Sequence, residues 1–100
     1  MAVKVLITRR CQKGAMMDVL LVLSQLRSLA VAQPGYITGE TLYGLEAPDK
    51  LLVISTWEDL NSWRAWRDHP ARREVEAQAE RYLLEPASHE AFRFGAWQEP

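Results

Sequence analysis

Residues 15–33 constrain the fold more than any other segment of this chain. They contain no proline or internal glycine, and Pro34-Gly35 follows them, so the segment predicts one long helix. The apolar residues that share one face, at spacings of three and four, are Met16, Val19, Leu20, Leu23, Leu26 and Ala30. A second apolar set, Leu21, Val22 and Leu29, lies elsewhere around the helix. A helix that is apolar on more than one side must bury two surfaces, so we expect a sheet beneath it and a further helix or subunit beside it.

Four other segments have the patterns of strands. Residues 2–10 alternate with a period of two and are rich in β-branched side chains. Residues 36–43 and 51–57 flank a turn, which predicts an antiparallel hairpin, and the nearly continuous apolar character of 51–57 predicts a central strand. Gly39 inside the second strand indicates a bulge or a close approach to the backbone. Residues 89–97 alternate again and predict a fourth strand.

Two short helices are predicted between the third and fourth strands. The first follows Asp59 and ends near Asp68, because Pro70 disfavours a helical residue before it. Pro70 then begins the second, with His69 or Asp68 as its N-cap. Its predicted apolar residues are Ala71, Val75, Ala79, Tyr82 and Leu83, whereas Arg72, Arg73 and Glu76 are expected to form ion pairs on the exposed side.

The element order is therefore β-α-β-β-α(α)-β, which predicts an α+β, ferredoxin-like fold. Its antiparallel sheet carries the helices on one face, and residues 1–100 form a single domain. Alternation within the apolar strands leaves the second face of the sheet hydrophobic. We expect a homodimer in which two sheets cover one another.

Composition narrows the range of partners. Apolar residues make up 48% of the chain and charged residues 25%, as in ordinary globular proteins. Twelve basic and thirteen acidic residues give a net charge of −1, and neither sign forms a long block, which argues against nucleic-acid and membrane partners. The single cysteine, Cys11, allows no intrachain disulfide. With no secretory or membrane-spanning pattern in the sequence, we expect a cytoplasmic protein.

Three parts of the sequence resemble the antibiotic biosynthesis monooxygenase family. They are the entry Pro34-Gly35-Tyr36 to the second strand, Trp57-Glu58-Asp59 at the end of the third, and the short helix that leads into a helix rich in alanine and charge over residues 60–82. The family forms dimeric α+β barrels, and it includes cofactor-independent oxygenases of aromatic polyketides. The resemblance implies a monooxygenase that acts on a phenol or quinol without flavin or metal.

The resemblance and the residue types together suggest a site between the sheet and the helices. Asn61, Trp66 and Arg93 are the predicted catalytic residues, with Trp66 as a wall and the other two as donors to a developing oxyanion. Tyr36, Tyr43 and Tyr82 are the predicted substrate-pocket residues. Trp57 and Trp63 are expected to belong to the core.

Two alternatives stay open. The chain contains no Ser-His-Asp arrangement, CxxC, phosphate-binding loop or metal set, so a non-catalytic dimeric module that binds a small hydrophobic molecule also fits. The haem-degrading branch of the family fits less well. That branch uses an Asn on the first strand and a His about ten residues after the helical tryptophan, whereas this first strand has no Asn and Glu76 follows Trp66 at that distance. We expect His69 to be a helix cap and His89 a residue of the sheet edge.

Overall fold

The computed structural model describes residues 1–97 and confirms the α+β, ferredoxin-like architecture. Its strands are β1 (Val3–Arg10), β2 (Tyr36–Tyr43), β3 (Lys50–Trp57) and β4 (Ser88–Arg93). Its helices are α1 (Met16–Ala30), α2 (Leu60–Arg67) and α3 (Pro70–Glu80). The strands form one antiparallel sheet in the order β2-β3-β1-β4, so β3 is central as predicted. Within residues 1–97 no helix is long and apolar enough to cross a membrane.

The core lies between the helices and one face of the sheet. The odd-numbered side chains of β1, Val3, Val5 and Ile7, are buried there, as the period of two predicts. Helix α1 contributes Val19, Leu23, Leu26 and Ala30, and it packs along α3, which covers part of its second apolar surface. Leu21 stays 68% exposed, on a part of α1 that no described element covers.

Two elements end earlier than the sequence predicts. Helix α1 stops at Ala30 rather than near residue 33, because the next turn tightens. The Ala32 and Gln33 N–H groups donate to carbonyls three residues back, at 3.3 and 2.9 Å. Strand β4 ends at Arg93 rather than at residue 97. Arg93 pairs with Val3, the first residue of β1, so the neighbouring strand offers no partner further on.

The prediction for the faces of α3 is wrong for two charged residues. Arg72 and Glu76 are buried, at 7% and 9% exposure, and they share the inward face with Val75 and Ala79. Residues three and four apart lie on one side of a helix, so Arg72 and Glu76 are directed towards the sheet together with Val75 and Ala79, although they are charged. Arg9 of β1 lies opposite and pairs with Glu76, which makes the burial of these charges tolerable.

Candidate active site

A cavity of about 460 Å³ lies between the helices and the covered face of the sheet. Leu20, Leu23, Leu26 and Arg27 of α1 form one side. The cross-strand register explains the opposite side, because directly opposed residues share a face of the sheet. Gly39 pairs with Ser55 and Thr41 pairs with Val53, and all four line the cavity. The helices and the sheet therefore enclose a space suited to a small molecule.

Four aromatic residues form much of the wall. Tyr36 stands edge-on to Trp57 with ring centroids 5.3 Å apart, and Trp57 lies 6.1 Å from Trp63. Trp66 completes the set from the next turn of α2. Trp57, Trp63 and Trp66 are all 5% exposed or less, so the expected assignment of Trp57 and Trp63 to the core is confirmed. The same side chains also line the cavity.

Helix α2 presents its tryptophans inward because of how it begins. The Asp59 carboxylate accepts a hydrogen bond from the Ser62 N–H at 2.7 Å, and this bond holds the pKa of Asp59 below its ordinary value. With the start of the helix fixed, Trp63 and Trp66 lie three residues apart on the buried side.

The prediction of a bulge or close approach near Gly39 is also confirmed. The register shifts between Tyr36 and Thr38, and a Cβ atom on Gly39 would lie 2.7 Å from the Tyr36 hydroxyl.

A buried ionic cluster forms another part of the cavity lining. Arg9 Nη2 donates to Glu76 Oε1 and Oε2, at 2.7 Å each, and Arg9 Nε donates to Oε1 at 3.1 Å. Arg72 Nη2 lies 3.5 Å from Glu76 Oε2, and its guanidinium stacks over Trp63, 5.3 Å from the ring centroid. Burial lowers the pKa of Arg72, while the Glu76 carboxylate acts in the opposite direction. Two cations thus share one carboxylate.

The structure brings three of the six predicted site residues together. Trp66, Tyr36 and Tyr43 line the cavity. Asn61 is exposed and lines a separate shallow depression beside Trp66 and Asp59. Arg93 lies on the edge strand β4, in register with Val3, and Tyr82 lies beyond α3, where its carbonyl accepts from the Gln12 N–H. These last three residues are not among those that line the cavity.

Four buried polar residues of the cavity are not among the site residues predicted from the sequence: Arg9, Ser55, Arg72 and Glu76. Ser55 Oγ accepts a hydrogen bond from Trp57 Nε1 at 3.1 Å, which leaves its own O–H able to donate to a ligand. The signal for Arg9 and Ser55 was present, because each continues the inward alternation of its strand. Alternation alone does not identify them as site residues, because polar residues at inward positions are less common than apolar ones.

Both histidines lie where the sequence predicts. His69 is the N-cap of α3, with its Nδ1 accepting from the Ala71 N–H at 3.0 Å. His89 belongs to the edge strand β4, and its ring lies 5.6 Å from that of Trp63. Partial desolvation of the ring, followed by the nearby charge of Arg72, lowers the pKa of His89. Over residues 1–97, no three His, Cys, Asp or Glu side chains group as metal ligands would.

The fold and the cavity define an α+β, ferredoxin-like protein with a cavity of small-molecule size under its helices. The chain belongs to the antibiotic biosynthesis monooxygenase family, whose model matches residues 2–78. A comparison with curated protein sequences finds no match.

Solved structures share this fold at low sequence identity. A conserved protein from Methanosarcina mazei Go1 aligns with a TM-score of 0.85 and 16% identity over 92% of this chain and 91% of that one. SnoaB, a cofactor-independent oxygenase from Streptomyces nogalater, aligns with a TM-score of 0.84 and 16% identity over 96% and 95%. Rv0793 from Mycobacterium tuberculosis gives a TM-score of 0.84 and 13% identity over 99% and 100%. At these identities the likeness is one of fold.

Proposed function

We propose that this protein is a cofactor-independent monooxygenase that oxidises a small aromatic phenol or quinol in the cavity under α1. The observation that carries the proposal is the cavity itself, whose volume of about 460 Å³ falls in the range of small-molecule sites. Its aromatic wall suits a planar ring, and hydroxyl and guanidinium groups converge on the same space. Membership of the monooxygenase family and the shared fold with SnoaB support the same activity.

The chemistry needs a substrate that supplies its own electrons. A phenol with a free para C–H and one molecule of O₂ give a quinone and one molecule of water, so one oxygen atom enters the ring and the other leaves as water. The ring reacts best as its oxyanion, which is the electron-rich form. In this proposal Trp66 positions the ring, and Ser55 and Arg9 donate hydrogen bonds to the oxyanion.

Oxygen uptake tests this proposal. We expect a panel of phenols and quinols to include substrates that consume oxygen in the absence of added flavin or metal. Ser55→Ala should then slow turnover by about a hundredfold, the usual cost of losing one oxyanion donor. Ser88→Ala is the matched control, because Ser88 is exposed on β4 and does not line the cavity. Thermal unfolding must show that both variants are folded.

Asn61→Ala and Arg93→Ala, in the same assay, test the two donors that the sequence suggested. A hundredfold loss in either, with Ser55→Ala unaffected, would place the reacting oxygen outside the cavity and contradict the assignment to Ser55 and Arg9. Ligands that bind without any oxygen uptake would instead assign the cavity to a binding module.

A further inference from the structure

The charge of the cavity differs in sign from the charge of the chain. The whole chain carries −1, but the residues that line the cavity include three arginines, Arg9, Arg27 and Arg72, against the single carboxylate of Glu76. The wall therefore carries a net formal charge of +2, and its buried charges, Arg9, Arg72 and Glu76, act on a ligand more strongly than charges in open solvent would.

Arg9 is the most buried of these cations. Its side chain is 2% exposed, and its Nε and Nη2 groups are both committed to Glu76. Nη1 is buried and has no hydrogen-bond partner among residues 1–97. The edge formed by Nε and Nη2 engages the carboxylate, so the N–H groups of Nη1 are directed away from it. A buried charged donor without an acceptor is unfavourable, and an anionic acceptor would relieve this most effectively.

Glu76 cannot neutralise the cluster or act readily as a base. Arg9 binds both of its carboxylate oxygens, and Arg72 lies 3.5 Å from Oε2. Arg72 is itself held in place by Trp63 and by the Arg67 carbonyl, which accepts from its Nη1 at 3.4 Å. No histidine is among the described residues that line the cavity. A ligand hydroxyl would therefore find no available base there, and a ligand that arrives already ionised fits better.

We propose that Arg9 and Arg72, oriented by Glu76, form a subsite for an anionic oxygen carried by the aromatic ligand. The anion is a carboxylate or a hydroxyl acidic enough to be ionised at neutral pH. This inference rests on the proposed function only in taking the cavity under α1 as the substrate site. It narrows the substrate class from phenols in general to anionic hydroxyaromatics.

Matched ligand pairs test the subsite on the wild-type protein. Binding is measured without oxygen, by quenching of tryptophan fluorescence and by calorimetry, because three tryptophans line the cavity. One pair is a hydroxynaphthoic acid and its methyl ester, and the other is a hydroxynaphthoquinone that is ionised at neutral pH and its methyl ether. We expect at least one anion to bind about tenfold or more tightly than its neutral partner. Equal or weaker binding of both anions overturns the proposal, and the two pairs distinguish a carboxylate from an ionised hydroxyl.

Variants assign the preference to the cluster. Glu76→Gln removes the competing charge and should tighten binding of the preferred anion about tenfold while leaving its neutral partner unchanged. Glu74→Gln is the matched control, because Glu74 is exposed on the same helix. Arg9→Lys keeps the positive charge but loses the planar guanidinium with its paired N–H donors, and Arg9→Met loses both the charge and the donors. The preference for the anion should therefore fall in Arg9→Lys and fall further in Arg9→Met. Arg10→Met, next to Arg9 but exposed, should retain it.

Unchanged anion preference in folded Arg9→Met would contradict the assignment. If Arg9→Met does not fold, the wild-type ligand pairs and Glu76→Gln decide. Because binding is measured without oxygen, failure to detect oxygen uptake would count against the proposed function and leave the subsite standing.

Discussion

Arg9 is the most buried charged residue among residues 1–97. It follows Val3, Val5 and Ile7 in the inward register of β1, so its guanidinium enters the space under the helices. Removing an ion from water is costly, and only close pairing offsets that cost. Glu76 provides such a partner from α3, and three hydrogen bonds join this helix to β1.

The first prediction compares two neighbouring arginines of β1. Arg9→Met should lower the free energy of unfolding by about 3–5 kcal/mol, because it leaves the Glu76 carboxylate buried with Arg72 as its remaining partner. Arg10→Met should cost about 1 kcal/mol or less, because the Arg10–Asp49 ion pair is exposed to solvent. Urea unfolding of both variants measures the difference. Similar losses would show that the buried pair contributes no more than the exposed one.

The second prediction concerns the pH dependence of stability. The pKa of His89 is lowered from 6.5 by partial desolvation of the ring and then by the nearby charge of Arg72. Above 6.5 the ring is neutral in both states, and its contribution to stability is complete. As the pH falls through 6.5 towards the lower folded pKa, the unfolded chain takes up the proton first, so stability is lost.

The His89→Gln variant isolates this effect. Its free energy of unfolding should fall less steeply than that of the wild type from about pH 7 to about pH 5, since glutamine does not titrate. Above that range the two proteins should show the same slope, which serves as the internal control. Parallel curves throughout would mean that His89 titrates alike in the folded and unfolded chains.

Sequence reasoning failed at single residues where chemistry and position disagree. Arg72 and Glu76 are four residues apart, a spacing typical of ion pairs on the surface of a helix. They are buried here because Arg9 of β1 faces α3 and pairs with Glu76. That contact joins residues 67 positions apart, which local patterns do not reveal. The family resemblance had singled out the position of Glu76, ten residues after Trp66.

At the scale of elements, the turn between α1 and β2 sets one wall of the site. Gly35 has a φ of +83°, and its carbonyl accepts from the Glu58 N–H at 2.7 Å, which fastens the turn to the end of β3. A Cβ atom on Gly35 would collide with the Ser62 side chain of α2. The close approach brings Tyr36 edge-on to Trp57 in the cavity wall.

The third prediction uses a second glycine as the control. Gly14 has a φ of +80° like Gly35, but a Cβ atom there would meet nothing within 4 Å. Gly14→Ala should therefore cost only the backbone strain, about 1 kcal/mol. Gly35→Ala adds the collision with Ser62 and should cost about 2–3 kcal/mol, while also weakening ligand binding in the cavity. Equal costs in thermal or urea unfolding would mean that α2 moves away freely.

The kinds of elements were predictable from sequence, and their ends were less so. Period-two alternation identified β1, and the proline at 70 identified the start of α3 with its His69 cap. The end of β4 depends on where β1 begins, and the tightened turn after α1 depends on its packing, so neither follows from local sequence alone. The sequence also predicts a site between the sheet and the helices, where the cavity lies. It identifies only part of the lining, because contacts between distant segments decide which side chains reach the cavity.

At the scale of the whole molecule, the face of the sheet that no helix covers has the features of a subunit interface. Its centre is apolar, with Leu6, Leu52 and Ile54 half-buried and Leu42 exposed, while Glu40 and Glu90 occupy the edges of the central row. An apolar patch with a polar rim is typical of a subunit interface. A second copy of this chain, stacked sheet on sheet, remains our prediction for what covers it.

The fourth prediction is a homodimer at micromolar concentration in sedimentation experiments. Ile54→Glu should convert it to a monomer, because it buries an unpaired charge at the centre of the patch. Leu21→Glu is the control, an equally drastic change at an exposed position on α1 that should leave the dimer intact. A stable wild-type monomer, or a dimer broken only by Leu21→Glu, would contradict this interface.

Crystals of the wild-type protein, soaked without oxygen with whichever of the two anions binds more tightly, test most directly whether the cavity under α1 is the site of ligand binding. We predict that the ring lies against Trp66 and Trp63, with its anionic oxygen within hydrogen-bonding distance of the Arg9 or Arg72 guanidinium. A ring bound in the shallow depression beside Asn61, or an empty cavity at saturating ligand, would contradict the site on which both proposals rest.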